Sequence, residues 1–155
     1  MSKETRQHPP IKCRYLSYRL PNGLAILLPL VHVEVSSDTE TLTTIALLDS
    51  GATMSFIPYE IAEILNINHR NEVAIGVETA GGTCDFHPLI LKKLRLMSGS
   101  KSFSEFRNMR MLTPSPERDL PYVILGRDYV FKRFHIIFRE NIRRFELVHH
   151  KCAQR

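Results

Sequence analysis

Several common functions leave marks that this chain does not carry. Its three cysteines, Cys13, Cys84 and Cys152, are odd in number and widely separated. They offer neither a disulfide framework nor the paired spacing of a zinc site, and their scarcity suits a reducing compartment. No phosphate-binding loop is present, because Gly81-Gly82 lacks the flanking strand and helix that such loops need. The opening MSKETRQHPPIKCRY has no apolar centre of the signal-peptide kind. The most apolar stretch near it, 24–35, is interrupted by Pro29, His32 and Glu34 and is too short to span a membrane. A cytoplasmic protein without membrane attachment is therefore expected.

Charge and histidine placement exclude little but favour nothing exotic. The formal excess of +5 is modest. The basic clusters Lys92-Lys93-Arg95, Arg107-Arg110 and Arg139-Arg143-Arg144 come without aromatic platforms, so they read as solvated faces and nucleic acid is not an expected partner. His8, His32, His69, His87 and His135 are scattered and suggest no Ser-His-Asp or Cys-His arrangement. His149-His150-Lys151-Cys152 crowds three ligand types together, but adjacent residues cannot easily wrap one tetrahedral ion. It reads as a basic tail, with no metal and no cofactor expected. Cys84 is expected to be a small buried hydrophobe.

What is present is a chain of 155 residues, 43% hydrophobic and 24% charged, enough for one domain with its own core. Strand patterns dominate. Residues 13–20 and 24–28 flank the hairpin turn Pro21-Asn22-Gly23. Residues 30–35 and 41–48 form a second hairpin. The runs 73–77 and 84–88 flank Thr79-Ala80-Gly81-Gly82, a tip with no side chain to pin its glycines and so expected to be mobile. Further strands are expected over 89–96, 102–111, 122–125, 134–138 and 143–148. A helix over 59–65 opens at Pro58, with Ser55 or the preceding turn as its cap and Ile61, Ala62, Ile64 and Leu65 on one face. A second short helix is expected over 127–133, with Asp128 in its first turn. About nine strands and one or two short helices exclude a doubly wound α/β fold. The domain proper is expected to span 29–148, with residues 1–28 as an N-terminal arm carrying a possible hairpin and 149–155 as the tail.

The stretch around which these elements arrange themselves is Leu47-Leu48-Asp49-Ser50-Gly51-Ala52-Thr53. A carboxylate directly after a buried strand is poorly solvated and needs hydrogen-bonding neighbours or a chemical task. Asp-Ser-Gly is also an ordinary turn sequence, so the tripeptide alone does not choose. The wider segment ALLDSGATMSFIP (46–58), taken with YVILGRDYVFKRFHIIF (122–138), resembles the retropepsin-like aspartic proteases.

The resemblance covers roughly residues 30–138 and implies an all-β fold: a single lobe with one or two short helices and a glycine-tipped flap hairpin. It implies that Asp49 is catalytic, that Ser50, Gly51, Ala52 and Thr53 complete its loop, that Ala80, Gly81 and Gly82 form the flap tip, and that Ile124, Leu125, Gly126 and Arg127 pass behind the loop. Viral members place a second aspartate where this chain has Thr53, which leaves Arg127 without that partner. Only one such loop is present. The other candidate carboxylates, Asp38, Asp85, Asp119 and Asp128, do not sit between a buried strand and a glycine. The implied enzyme is therefore a homodimer that pairs two copies of Asp49, activates a water and cuts a polypeptide bound as an extended strand. The alternative is an inactive dimer of the same fold serving as a protein-binding or scaffold module.

Overall fold

The computed structural model describes residues 8–150. Eleven strands are found among them: β1 (Ile11–Arg14), β2 (Leu16–Arg19), β3 (Ala25–Leu28), β4 (Leu30–Ser36), β5 (Thr41–Leu48), β6 (Ile75–Thr79), β7 (Gly82–Ser98), β8 (Lys101–Pro114), β9 (Val123–Leu125), β10 (Phe134–Arg139) and β11 (Arg144–His149). The helices are short, α1 (Tyr59–Ile64) and α2 (Val130–Arg133). None of the described helices is long and apolar enough to cross a membrane.

The main sheet runs β6-β7-β4-β5-β9, and β8 pairs with β7 beside it. β4 and β5 form the expected hairpin, in register from Leu30↔Leu47 to Ser36↔Thr41. β9 joins β5 in parallel, Ala46↔Val123 to Leu48↔Leu125, so two segments far apart in sequence end side by side at residues 49 and 126. Alternation on these strands drives Val31, Val33, Val35, Ala46, Leu48, Leu91, Leu94, Leu96, Met109 and Met111 into one core.

Three expectations about the elements need correction. The strand proposed over 13–20 is two strands in different sheets. Tyr15 divides them: its ring is buried, its hydroxyl donates to Glu140 at 2.7 Å and its amide donates to Arg143 at 2.9 Å. β1 therefore pairs with β11 in the sheet β1-β11-β10, while β2 pairs only with β3. The strands proposed over 84–88 and 89–96 are one continuous β7. Pro88 falls between its pairings with β6 (ending at Phe86) and with β4 (beginning at Lys93), where β7 has a free edge and proline is tolerated. The second helix is shorter than 127–133, because Asp128 is engaged elsewhere.

The first helix lies where expected, but its cap does not come from Ser55. The carboxylate of Asp119, some sixty residues on, accepts from the amides of Tyr59 at 2.6 Å and Glu60 at 3.1 Å. Ile61, Ala62 and Leu65 are buried, while Ile64 on the flank of the stripe is half exposed.

The basic clusters are largely matched by acids. Arg95 spans Glu34 at 3.0 Å and Glu105 at 2.9 Å across neighbouring strands, and Arg107 reaches Glu105 at 2.6 Å. Hydrogen bonding by Arg95 leads the effects that hold the Glu105 carboxyl below its ordinary value. Arg139 pairs with Glu146 at 3.0 Å, and Arg143 pairs with Glu140. The basic tail begins inside the fold: His149 is the last residue of β11, packed 4.4 Å from the ring of Phe134. Residues 151–155, including Cys152, lie outside the described residues.

Candidate active site

Asp49 follows the last residue of β5 and is half-buried. Its amide donates to Leu125 at 3.1 Å, extending the parallel ladder by one bond. Its Oδ1 accepts from the Gly51 amide at 2.8 Å, which curls the loop around the carboxylate, and the Ala52 amide donates to the Asp49 carbonyl at 3.3 Å. One carboxylate oxygen is thus held by backbone. Ser50 and Thr53 are exposed.

The segment behind this loop fixes it from the other side. The Arg127 amide donates to the Ala52 carbonyl at 2.9 Å, and Phe56 exchanges backbone hydrogen bonds with Ile124 at 2.8 and 2.9 Å. Gly126 is buried so closely against the loop that an added Cβ would strike the Met54 carbonyl, at 2.7 Å from its carbon, and would lie 2.8 Å from the Ala52 oxygen. No side chain fits there. Ile124, Leu125 and Gly126 therefore press directly on the Asp49 loop. Arg127 contributes its backbone only: its side chain is exposed and has no ion-pair partner among the described residues.

Sequence reasoning missed the polar clamp beneath the loop. Ser55 is fully buried. Its amide and hydroxyl donate to the two oxygens of Asp128 at 2.9 and 2.6 Å, and its Oγ accepts from the Gly126 amide at 3.1 Å. The clamp binds both chain segments together and leaves none of these polar groups unpaired. The signal was present in the serine that follows Met54 and precedes the apolar pair Phe56-Ile57, yet serine and aspartate are ordinary capping residues and nothing local joins them.

Among the described residues no second carboxylate occupies a place like that of Asp49. Asp38 faces Lys92 at 3.5 Å, Asp119 caps α1, Asp128 holds Ser55, and Asp85 is exposed on β7. No group of three or more metal-ligating side chains is found there either. A groove of about 640 Å³ lies elsewhere, lined by residues such as Asp38, Asn66, Lys92 and Arg110.

Between the two loop segments in sequence, β6 and β7 form a hairpin that projects from the sheet, with most of its side chains exposed up to Phe86. Ala80 and Gly81 turn it, and Gly82 has φ +101°. The tip is not unpinned as expected. Thr79 Oγ1 donates to the Gly82 carbonyl at 2.7 Å and accepts from the Gly81 amide at 3.2 Å. Cys84 is not a buried hydrophobe either: it is half-buried at the hairpin, with Arg118 Nη1 2.9 Å from its sulfur.

A family model described as aspartyl protease matches residues 31–129, which includes the Asp49 loop, the hairpin and the Gly126 segment. No curated protein matches the chain. Among solved structures, the chain is similar to a retropepsin-like aspartic protease from Rickettsia conorii, with a TM-score of 0.58 at 17% identity over 91% of each chain. It is also similar to the EIAV protease in complex with the inhibitor HBY-793, with a TM-score of 0.47 at 26% identity over 68% of this chain and 86% of that one. The matched span covers most of the chain and takes in every element that frames Asp49, so this chain belongs to the aspartyl protease family and has the retropepsin-like fold.

Proposed function

We propose that the protein is an aspartic endopeptidase whose active form is a homodimer with the two Asp49 carboxylates facing each other. The observation that carries this reading is the Asp49 loop itself: one carboxylate at the end of a buried strand, clamped from behind by Gly126 and Ser55, in a chain with no second loop of its kind among the described residues. A half-site of this sort is completed by a twofold copy.

Two carboxylates at hydrogen-bonding distance share one proton and titrate as a pair. The ionised member takes a proton from a water held between them. The protonated member donates to the scissile carbonyl, and the water oxygen adds to give a tetrahedral intermediate with no acyl-enzyme. Ser50, exposed at the loop surface, would donate across the axis to the opposite loop. The β6–β7 hairpin would close as a flap over an extended peptide and exclude water. Thr53 and Ala52 shape the loop and take no part in the proton transfers. The enzyme acts on polypeptide, in the reducing cytoplasm, with no cofactor.

The test is cleavage of a mixed peptide pool by the wild-type protein and by Asp49→Asn. The wild type should cut, fastest on the acid side of neutrality where the pair holds a single proton, and a statine-type mimic of the tetrahedral intermediate should block it. The D49N protein should stay folded and dimeric but lose at least about a thousandfold of the rate. Cleavage surviving in D49N, a rate climbing steadily beyond about pH 8, or full activity from a strict monomer would each overturn the mechanism. A folded dimer that binds peptides without cutting them would identify a scaffold module instead.

A further inference from the structure

The β2–β3 hairpin lies outside the matched span of 31–129, yet it is folded, and its second strand runs straight into β4. Its register, Leu16↔Leu28 and Tyr18↔Ile26, places Leu16, Tyr18, Ile26 and Leu28 on one face. All four are half-buried, while Ser17, Arg19, Ala25 and Leu27 on the opposite face are exposed. None of the four packs against the main core cluster. The hairpin is therefore a separate small layer whose apolar side is covered only in part. On that side Tyr18 meets Tyr122: the two rings lie 5.3 Å apart at 81°, edge to face.

Tyr122 immediately precedes β9, the strand whose far end bonds to the Asp49 amide. Its phenol is held above its ordinary value mainly by burial, with smaller effects from Tyr18 and from the Asp49 carboxylate beyond the other end of the β5–β9 pair. The end of the hairpin is tied to the same place, since the Leu48 amide donates to the Pro29 carbonyl at 3.3 Å. An apolar face that is neither merged with the core nor left free, set beside a reacting carboxylate, has the chemistry of a binding-pocket wall.

Resting on the reading of Asp49 as the peptidase centre, we propose that the β2–β3 hairpin is a specificity element. Its apolar face, led by Tyr18 set edge-on to Tyr122, forms one wall of the pocket that receives a large apolar or aromatic side chain beside the scissile bond. Tyr18 is the specificity-determining residue, because it sits where the hairpin and the catalytic lobe meet. Peptides with a small residue at that position leave the wall uncovered and bind less well.

The experiment compares two peptides that differ only in Phe or Ala at the preferred position, cut by wild type, Tyr18→Ala, Tyr18→Phe and Asp49→Asn. In the wild type the Phe peptide should have a kcat/KM at least about tenfold above the Ala peptide, the range of a large apolar contact. Y18A should bring that ratio to within about threefold of unity, and Y18F, which keeps the ring, should restore it. A wild-type ratio unchanged in Y18A overturns the proposal. So does an equal loss on both peptides with a weakened dimer in sedimentation, which would assign the face to the partner protomer. Ile26→Ala, directly across the hairpin from Tyr18 on the same face, guards against misfolding of Y18A and should lower the ratio partway. A wild type no more active than D49N removes the peptidase reading, and the pocket with it. That outcome is distinct from a cutting enzyme with an indifferent Tyr18.

Discussion

The Asp49 loop and the β6–β7 hairpin belong to the same sheet system but are held in opposite ways. The loop is gripped from behind by main chain and buried side chains: Leu125, Gly126 and Arg127 all bond to it or press on it, and Ser55 and Asp128 lock the two segments together. The hairpin is held by its own ladder and one threonine, with its side chains mostly in solvent. In the proposed dimer a carboxylate has to meet its twin within a few tenths of an ångström, which needs the first arrangement. A cover that must open for a peptide needs the second. Under the proposed mechanism the difference would put chemistry in the rigid region and access in the loose one.

The contrast is broken most severely at Gly126. Gly126→Ala places a methyl group on the Met54 and Ala52 carbonyls, backbone atoms that cannot turn aside. The strands must separate, and the loss should be about 4 kcal/mol or more. Urea unfolding should show a population already largely unfolded without denaturant, or a midpoint lowered by well over about 1 M. A midpoint within error of wild type would show that the loop tolerates far more movement than this packing allows.

A smaller effect of the same kind is expected at Asp128. Asp128→Ala strands the amide and hydroxyl of Ser55 in a buried site. About 2–3 kcal/mol of stability should be lost. D128N, which keeps one acceptor oxygen for Ser55, should lose roughly half as much. Should the two variants prove equal, the clamp is packing rather than hydrogen bonding. Activity per folded molecule is the sharper readout, because a loosened clamp misplaces Asp49 even where the chain stays folded.

These residues also mark how far sequence alone reaches. Alternation placed the β4–β5 hairpin correctly, because burial on one face with period two is a local pattern. Helix α1 was legible from Pro58 and its apolar stripe, but its cap was not, since Asp119 reaches it only through the folded chain. The split at Tyr15 escaped for the same reason: the residue looks like one more member of an alternating run, and only its bond to Glu140 reveals that the chain changes sheets there. The loop around Asp49 was legible as a motif. The Ser55–Asp128 clamp and the Tyr18–Tyr122 contact were not, because each joins residues more than seventy positions apart with no local signature.

The loose side of the comparison offers the smallest and most discriminating change. Thr79→Val keeps the shape of the side chain but removes the hydroxyl that bonds both the Gly82 carbonyl and the Gly81 amide. The site is exposed, so water replaces both partners and the folded state should lose only about 0.5–1 kcal/mol. The melting temperature should hardly move, whereas amide exchange should quicken at Gly81 and Gly82 and stay unchanged at Asp49 and Gly126. If the hairpin is the cover over the cleft, KM or kcat shifts along with the exchange rate, since closing then orders a freer tip. Faster exchange at the tip with unaltered kinetics would separate the hairpin's mobility from catalysis. It would leave the rigid half of the molecule carrying the chemistry without help from a moving lid.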